Sequence, residues 1–305
     1  MKPRIVFLVG PTAVGKSEVG VILAEKINAE IISCDSMQVY KEMDILTSKP
    51  NLALRRRVSH HLIDIVYPTK EYDVFQYRKM ALKKIKEILK KNKTPLFVGG
   101  SGLYMSVVID GIFQIKTKDS KVRAFLYQQA KDFGALYLYK RLKEIDPESA
   151  SRIHPHDTKR IIRALEVFEI TGKPISYLQK KRKGLDNKYE IKIFGLRMGK
   201  ELLLKRIQKR VEQMFKLGLI TEVKNLLKQP LSRTASCAIG LKEIKGYLEG
   251  LYDLEKTKEL LTKNTYYYAR KQMTWFRKDK RITWIDLKAK ERPQEIAEKI
   301  WRELS

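Results

Sequence analysis

The apolar positions near the start of the chain predict a strand, a helix and a second strand. Residues 5–9 form an unbroken and largely β-branched run, which is typical of a strand buried on both faces of a parallel sheet. The next apolar positions are spaced as one face of a helix that begins near Gly15 or Lys16. They are Val19, Ile22, Leu23 and Ile27. Residues 30–34 form a second apolar run that ends at Asp35, so the three elements predict a β-α-β unit.

The same alternation continues along the chain and indicates the class of fold. Residues 61–65 and 95–98 predict further strands, and the apolar positions from Phe75 to Leu89 predict an amphipathic helix between them. Because strands and helices alternate, we expect an α/β fold with a doubly wound parallel sheet.

Residues 116–188 interrupt this alternation. Their apolar residues recur at helical spacing with no convincing strand, so we expect a helical insertion domain within a core formed by residues 1–115 and 189–305. The elements expected after the insertion are a strand at 189–196, helices at 204–215 and 256–277, and a last strand at 282–285.

Charge adds a candidate class of partner. The chain has 305 residues, with 63 Lys and Arg against 35 Asp and Glu, and its formal net charge is +28. Residues 1–115 have 18 basic and 11 acidic side chains, residues 116–190 have 18 and 10, and residues 191–305 have 27 and 14. The last two segments are the more basic per residue. This excess of positive charge favours nucleic acid as a partner over an anionic membrane surface. The alternative explanation, which assigns the charge no function, is that the proteome as a whole is rich in lysine.

Other features of the composition narrow the class of protein. No apolar stretch approaches the ~18–20 residues that cross a bilayer and no signal peptide is visible, so we expect no membrane partner. Cys34 and Cys237 form no C-x-x-C pair, which indicates neither a disulfide framework nor a zinc site. We expect a cytoplasmic protein that acts as a monomer.

Residues 10–17 carry the strongest chemical signal. The segment satisfies G-x-x-x-x-G-K-[ST], directly after a predicted strand and before a predicted helix. Such a loop binds a di- or triphosphate, because backbone N–H groups and the helix N-terminus face the phosphates, Lys16 neutralises charge and the Ser17 hydroxyl is placed to ligate Mg²⁺. The candidate phosphate-binding residues are Gly10, Pro11, Thr12, Ala13, Val14, Gly15, Lys16 and Ser17. The loop refines the expected fold to a P-loop NTPase-like sheet with a helical insertion domain.

Two further turns are expected at the same edge of the sheet. Asp35 ends the second strand, where it is placed to act as a magnesium ligand, a general base or a turn-forming residue. Gln38 follows on a loop and has the donor and the acceptor that read an adenine edge. Residues 99–104 form a second glycine-rich turn from strand to helix and bring the Ser101 hydroxyl to this edge.

Three clusters of cations have both a functional and a structural interpretation. Residues 159–163 put cations on one side of a helix, which suits contact with a phosphate backbone or a solvated surface. Residues 266–272 interleave tyrosines with cations, which fits base stacking or the core of a helical layer. Arg206 and Arg210 are one helical turn apart and are spaced to aim a guanidinium at the phosphate loop.

Together these motifs resemble the tRNA dimethylallyltransferases, also called tRNA isopentenyltransferases, of the IPP transferase family. The resemblance extends over nearly the whole chain, and the joint match is more specific than any single motif. The motifs are residues 10–17, 35–40, 43–45, 49–50, 60–64, 99–104, 160–167, 171–173 and 272–277.

The resemblance implies alkyl transfer to tRNA. The family transfers the dimethylallyl group of dimethylallyl diphosphate to the exocyclic N6 amine of the adenine 3′-adjacent to the anticodon, and releases pyrophosphate. By resemblance, Asp35 is the base that takes the amine proton, and Lys16 and Arg210 stabilise the leaving pyrophosphate. By the same resemblance, Ser101 and Arg123 lie beside the acceptor nucleotide. Mg²⁺ is the implied cofactor, with Ser17 as its ligand.

The resemblance also implies a path for tRNA. Its residues are Asp35, Ser36, Met37, Gln38, Ser101, Arg123, Lys159, Arg160, Ile161, Ile162 and Arg163. Some positions depart from the family pattern: Ser101 replaces Thr, Leu241 replaces Tyr, Arg270-Lys271 replaces Lys-Arg, and Leu46 stands where Gly is frequent. The family's aromatic RNA contact is therefore not expected at Leu241.

Two other functions use some of the same residues. A P-loop kinase that acts on a small molecule or a nucleotide shares the loop and a helical insertion, but it leaves the basic insertion and residues 35–40 unexplained. An RNA-binding protein that uses nucleotide as a switch gives no role to Asp35 at the end of a strand.

Overall fold

The chain divides into two compact units. The computed structural model describes residues 2–113, 120–185 and 187–304. One unit comprises Met1–Ile109 and Asp186–Ser305, and the other comprises Asp110–Leu185. Residue 116, where the sequence pattern places the start of the insertion, lies outside the described residues.

The first unit is built on a parallel sheet. Its strands are β1 (Arg4–Val9), β2 (Ala29–Ser33), β3 (His60–His61), β4 (Thr94–Gly99), β5 (Glu190–Arg197) and β6 (Ile282–Asp286). They lie in the order β3-β2-β4-β1-β5-β6, and each adjacent pair is parallel. The central strand β1 is the apolar run expected from the sequence, and its five apolar residues are fully buried. The carboxyl ends of β1, β2 and β4 therefore meet at one edge, where open α/β sheets bind their ligands.

The helices follow in chain order. Before the insertion are α1 (Lys16–Lys26), α2 (Leu52–Arg57), α3 (Val74–Lys90) and α4 (Gly102–Ile109). The second unit contains α5 (Ser120–Phe133), α6 (Ala135–Ile145), α7 (Pro147–Ala150), α8 (Thr158–Thr171) and α9 (Ile175–Lys180). The first unit resumes with α10 (Lys200–Lys216), α11 (Leu219–Leu226), a 3₁₀ turn (Ala235–Cys237), α12 (Leu241–Leu248), α13 (Leu254–Phe276) and α14 (Pro293–Arg302).

The third strand is much shorter than its apolar pattern indicates. The expectation of a strand at residues 61–65 is wrong, because β3 ends at His61. Leu62 and Asp64 adopt φ angles of 60° and 54°, in the left-handed region that a strand does not use. The Asp64 carboxylate instead pairs with Lys49 and with Arg55, the latter at 2.8 Å.

The second unit has its own apolar core. Within the part of this unit that the structure describes, all regular elements are helices. Helices α5, α6 and α8 pack on one another around buried side chains that include Leu126, Leu138, Leu142 and Leu165. No helix among the described residues of the chain is long and apolar enough to cross a membrane.

Candidate active site

The phosphate loop joins the end of β1 to the start of α1, as the sequence motif predicts. Helix α1 begins at Lys16, the lysine of the motif. Within the loop Ala13 has a φ of 67°. This left-handed conformation is unusual for a residue other than glycine, and such residues cluster at functional turns. The Lys16 ammonium donates to the carbonyl of Pro11 at 2.6 Å, so it folds back over the loop that it is expected to serve.

Helix α10 adds two guanidinium groups to this loop. Arg206 donates to the carbonyl of Val14 at 3.2 Å, and Arg210 donates to the hydroxyl of Thr12 at 2.6 Å. Their spacing of one helical turn predicted such an approach. Among the described residues, the buried Nε of Arg210 has no hydrogen-bond partner. An unpaired donor on a buried cation is costly unless an anion approaches it, so this atom indicates an anionic ligand.

The electrostatics of the loop favour a polyanion. Burial lowers the pKa of Lys16 to about 8, the Asp35 carboxylate acts in the opposite direction, and the positive charge of Arg210 adds to the lowering. Burial also lowers the pKa of Arg210 to about 10, although Asp35 again opposes the change. Two desolvated cations therefore lie within electrostatic reach of one carboxylate. A diphosphate entering the loop supplies the negative charge that these cations lack.

Asp35 shapes the turn that follows β2. Its Oδ1 accepts the N–H of Met37 at 2.9 Å and the N–H of Gln38 at 3.4 Å, an arrangement in which an aspartate side chain closes a turn. Both hydrogen bonds end on Oδ1, so Oδ2 is the carboxylate oxygen that remains to accept a proton. The structural and the catalytic interpretation of Asp35 are therefore compatible.

Ser101 lies at the neighbouring strand end. Its N–H donates to the carbonyl of Cys34 at 3.0 Å, which joins the turn after β4 to the last position before Asp35. The Ser101 hydroxyl accepts the N–H of Tyr104 at 3.3 Å and so caps the first turn of α4. Its own proton remains available for donation to a ligand. The structure thus brings Asp35 and Ser101 to one edge of the sheet.

Helix α13 contributes residues to this edge that the sequence analysis noted within residues 266–277 but did not place at the site. Gln272 bonds both to the phosphate loop and to the Ser101 turn. Burial, with the charge of Asp35 next in size, raises the pKa of Tyr268, which places this tyrosine close to the candidate base. Tyr268, Gln272 and Trp275 are spaced at i, i+4 and i+7, one face of a helix. That spacing was the available signal, but it does not say which part of the chain the face contacts.

Lys49, from the motif at residues 49–50, stabilises the loop that follows Asp35. The Lys49 side chain is 2% exposed, and its ammonium donates to the carbonyl of Tyr40 at 2.6 Å and to Asp44 at 2.7 Å as well as to Asp64. The Gln38 amide, expected to read an adenine edge, accepts from the Ser33 hydroxyl at 3.2 Å. Its nitrogen faces the carbonyls of residues 47 and 48 at 3.5 and 3.4 Å. Both ends of this amide are therefore engaged within the chain.

The residues of the second unit that resemble tRNA contacts differ in exposure. The side chains of Lys159 and Arg160 are exposed on α8, whereas those of Ile161 and Ile162 are buried in the core of the unit. The two isoleucines therefore present no side chain to a tRNA, and the cations are the candidates for contact. This is the division into a basic and an apolar side that the sequence pattern indicates.

Two arginines of the same unit share one carboxylate. Arg123 donates to both oxygens of Glu166, at 3.0 and 2.8 Å, and Arg163 donates to one of them at 2.8 Å. The Glu166 side chain is 5% exposed, while about two fifths of each arginine side chain is exposed. The carboxylate fixes the direction of both guanidinium groups and leaves part of each on the surface.

Two of the departures from the family pattern, Leu241 and Leu46, are accommodated by packing. Leu241 is 5% exposed at the start of α12, so it makes no contact with an RNA through its side chain. The side chain of Leu46 lies against Gly240, where a Cβ would meet it at 2.6 Å. Ser101 retains the hydroxyl of the threonine that it replaces.

A magnesium ion at this edge would depend on few protein ligands. The described residues contain no group of three His, Cys, Asp or Glu able to hold a metal. Mg²⁺ commonly binds through one or two protein oxygens together with phosphate oxygens and water, so this donor set fits it when the diphosphate is present. The Ser17 hydroxyl, at the first turn of α1, is the candidate protein ligand.

Comparison with known proteins decides the family. The model of the IPP transferase family matches residues 38–279, and that of an isopentenyl transferase family matches residues 3–58. The chain belongs to the IPP transferase family. The family and the α/β fold expected from the sequence are therefore confirmed.

Individual IPP transferases are similar over nearly the full length. A tRNA dimethylallyltransferase of Carboxydothermus hydrogenoformans is 48% identical over 302 residues, which cover 98% of this chain and 97% of that protein. The crystal structure of a tRNA isopentenylpyrophosphate transferase from Bacillus halodurans has a TM-score of 0.72 at 37% identity and covers 99% of this chain and 97% of its own. A eukaryotic dimethylallyltransferase, solved acting on tRNA, has a TM-score of 0.78 at 28% identity and covers 93% of this chain and 74% of its own.

Proposed function

We propose that this IPP transferase transfers the dimethylallyl group of dimethylallyl diphosphate to the exocyclic N6 amine of the adenine 3′-adjacent to the anticodon in tRNA. One observation carries the proposal: the desolvated cations Lys16 and Arg210 lie at the phosphate loop that follows β1, at the same edge of the sheet where Asp35 follows β2. Alkyl transfer from a diphosphate needs both halves of this arrangement, a site for the leaving anion and a base for the attacking amine. The names of the relatives support the same activity.

The phosphate loop serves the leaving group. When the carbon–oxygen bond of dimethylallyl diphosphate breaks, negative charge develops on the bridging oxygen and the pyrophosphate departs. Lys16, Arg210 and the loop N–H groups stabilise that charge more in the transition state than in the substrate, which is the requirement for catalysis. Thr12 helps to hold Arg210 in place, because its hydroxyl accepts from the guanidinium.

Asp35 and Ser101 serve the acceptor. The N6 nitrogen forms the new bond to carbon, and Asp35 accepts the proton that the nitrogen loses. The amine of adenine is a poor nucleophile, so orientation contributes to the rate as well as basicity. The Ser101 hydroxyl, with a free proton, is the candidate to orient the acceptor nucleotide. The adenine has to leave its stack to enter the site, as in other enzymes that modify bases.

Mg²⁺ is the proposed cofactor. Its chemistry when bound is to neutralise charge on the diphosphate oxygens. Ser17 would be the protein residue that holds it, and the remaining ligands would be phosphate oxygens and water.

The basic surface is proposed to bind the tRNA backbone. The exposed cations of α8, Lys159 and Arg160, together with Arg123 and Arg163, are the candidate contacts in the second unit. Such contacts position a nucleic acid without reading its sequence. A tRNA substrate fits a cytoplasmic location, and no partner subunit is needed to complete the proposed site, so we propose that the chain acts as a monomer.

A transfer assay tests this function. Purified protein with Mg²⁺, dimethylallyl diphosphate and tRNA from cells that lack this modification is expected to add one prenyl unit to the adenine beside the anticodon, detected by mass spectrometry of the nucleosides. A parallel reaction supplies ATP with small-molecule acceptors. Phosphorylated product in that reaction, with unmodified tRNA in the first, would establish the kinase instead.

A further inference from the structure

We propose that Gln272 is a positioning residue that fixes the phosphate loop relative to the Ser101 turn. The inference rests on the proposed function, because it takes the loop as the donor site and the turn as the acceptor site. Gln272 lies on α13 within residues 272–277, a motif for which transfer chemistry alone gives no role. Its side chain nevertheless hydrogen-bonds to both segments.

Both ends of the Gln272 amide are used. The Oε1 atom accepts the N–H of Thr12 at 2.9 Å, and the Nε2 atom donates to the carbonyl of Gly100 at 2.9 Å. The residue is 6% exposed, so water does not readily replace either bond. The two partners also determine the orientation of the amide. In the opposite orientation the NH₂ group would face the Thr12 N–H and the amide oxygen would face the Gly100 carbonyl, so neither hydrogen bond would form.

The turn is shaped to receive this helix. A Cβ at Gly100 would overlap Nε2 of Gln272, and a Cβ at Gly102 would overlap the indole of Trp275. Gln272 and Trp275 are three residues apart and lie on the same face of α13. The two glycines on either side of Ser101 therefore allow α13 to lie directly against the turn.

Thr12 is held from two directions. Its N–H bonds to Gln272 on α13, and its hydroxyl bonds to Arg210 on α10. The Gly100 carbonyl precedes Ser101 by one peptide unit, so Gln272 connects the loop that holds the leaving group with the turn that orients the acceptor. A displacement of about 1 Å between reacting groups costs roughly 100-fold in rate, so a single amide at this junction is enough to influence transfer.

Replacement of the amide separates positioning from folding. Gln272→Met has a similar size but makes neither hydrogen bond, and we expect its single-turnover transfer rate to fall ~10- to 100-fold. We expect the dissociation constant for inorganic pyrophosphate to change by less than about threefold, because Lys16, Arg210 and the loop itself remain. The matched control is Thr257→Val, which removes a buried hydrogen bond of 2.7 Å on the same helix, to the carbonyl of Asp253. We expect this control to lower the melting temperature but to keep the transfer rate per folded molecule.

The pH dependence of the transfer rate in Gln272→Glu distinguishes a positioning role from a purely structural one. The glutamate keeps an acceptor for Thr12, but only its protonated form has a donor for the Gly100 carbonyl. The ratio of its rate to the wild-type rate is therefore expected to rise as the pH is lowered. This variant also keeps the proposal testable where the methionine variant does not fold.

The outcomes distinguish this proposal from the proposed function. A wild-type protein that transfers no prenyl group contradicts the function and the inference with it. Active wild-type protein with an unchanged rate per folded molecule in Gln272→Met, or with a Gln272→Glu ratio that does not depend on pH, contradicts the positioning role alone. A rate that falls in Gln272→Met but not in Thr257→Val, with pyrophosphate binding retained, supports it.

Discussion

The carbonyl of Cys34 accepts a hydrogen bond from the N–H of Ser101 at 3.0 Å. Cys34 in turn donates its own N–H to the carbonyl of Val98 at 2.9 Å, so the end of β2 is joined to β4 and to the turn that follows it. Asp35, the proposed base, comes directly after Cys34. The separation of Asp35 from Ser101 is thus set by the register of the sheet and not by flexible loop side chains.

Replacement of Asp35 by Asn tests the proposed base. The amide oxygen is able to accept the N–H groups of Met37 and Gln38, so the turn is kept while the basic carboxylate is lost. We expect single-turnover transfer to fall by ~10²- to 10⁴-fold, the usual contribution of a general base. Filter binding of tRNA and calorimetry with pyrophosphate are expected to give nearly wild-type affinities. Normal turnover in this variant would remove Asp35 from the mechanism.

The Ser101 hydroxyl is expected to act in folding and in transfer. Ser101→Ala removes the cap on the Tyr104 N–H and is expected to lower the free energy of unfolding by ~0.5–2 kcal/mol. It also removes a hydrogen bond to the acceptor, which we expect to slow transfer ~3- to 10-fold. Ser101→Thr retains both functions and is the control. If the alanine variant is less stable but transfers at the wild-type rate, the hydroxyl serves only as a helix cap.

Pyrophosphate binding is expected to weaken above pH 8. The pKa of Lys16 is about 8 in the free protein, and the bound anion raises it. Below pH 8 the ammonium is already present, whereas above pH 8 binding has to take up a proton, so the dissociation constant is expected to rise by up to ~10-fold per pH unit. Isothermal calorimetry from pH 6.5 to 9.5 measures this change. Lys16→Arg keeps its charge across the range and is expected to show no break near pH 8, and a break retained in that variant would assign the titration to another group.

Glu30 is expected to contribute to stability except in acid. Burial raises the pKa of Glu30, but hydrogen bonds from His61, Lys91 and Lys93 outweigh that effect and lower the pKa to about 2, from an ordinary value of 4.5. The carboxylate therefore stabilises the fold above pH 4.5, and this contribution is lost as the pH falls towards 2. We expect Glu30→Gln to lower the free energy of unfolding by ~3 kcal/mol at pH 7 and by little at pH 2.

Urea denaturation across this pH range measures the effect of Glu30. The control is Glu25→Gln, which breaks a solvent-exposed pair with Arg57 and is expected to cost less than ~1 kcal/mol at any pH. A difference between wild type and Glu30→Gln that persists at pH 2 would show that shape, not charge, is responsible.

The affinity for tRNA is expected to depend steeply on salt. If ~6–10 phosphates are neutralised, affinity falls by ~10³- to 10⁵-fold between 50 and 200 mM salt on the scale of duplex DNA, as an upper guide. The double variant Lys159→Gln and Arg160→Gln is expected to reduce the slope by ~2, or about one for each lost contact. The charge-matched control is Lys131→Gln with Lys140→Gln, which removes two exposed cations from α5 and α6. Equal slopes in the two double variants would mean that α8 makes no specific contact with tRNA.

The sequence predicts those parts of the site that depend on neighbouring residues. The loop motif and the spacing of Arg206 and Arg210 are local, and both arginines donate to the loop in the structure. The role of Gln272 is not local, because its partner Thr12 is 260 residues away and the motifs that contain the two residues do not indicate that they meet. The spacing of residues along one helical face indicates that the face is buried, but it does not identify the segment that packs against it.

The error at the third strand has a different origin. Residues 61–65 have apolar positions suited to a strand, but the left-handed backbone at Leu62 and Asp64 ends the pairing after His61. That conformation accompanies the ion pairs of Asp64 with Lys49 and Arg55, which come from other segments. Tertiary contacts thus override the local preference of an apolar run.

The hydrogen bonds of Thr12 with Gln272 and Arg210 have a consequence for the order in which the site is completed during synthesis. The phosphate loop leaves the ribosome well before Arg210 and Gln272, which follow Thr12 by 198 and 260 residues. A nascent chain that has already formed β1 and α1 still lacks both residues that bind Thr12. The loop is therefore recognisable in sequence long before it is complete as a binding site, and a nascent chain that ends before α13 holds the motif without the arrangement that the proposed reaction uses.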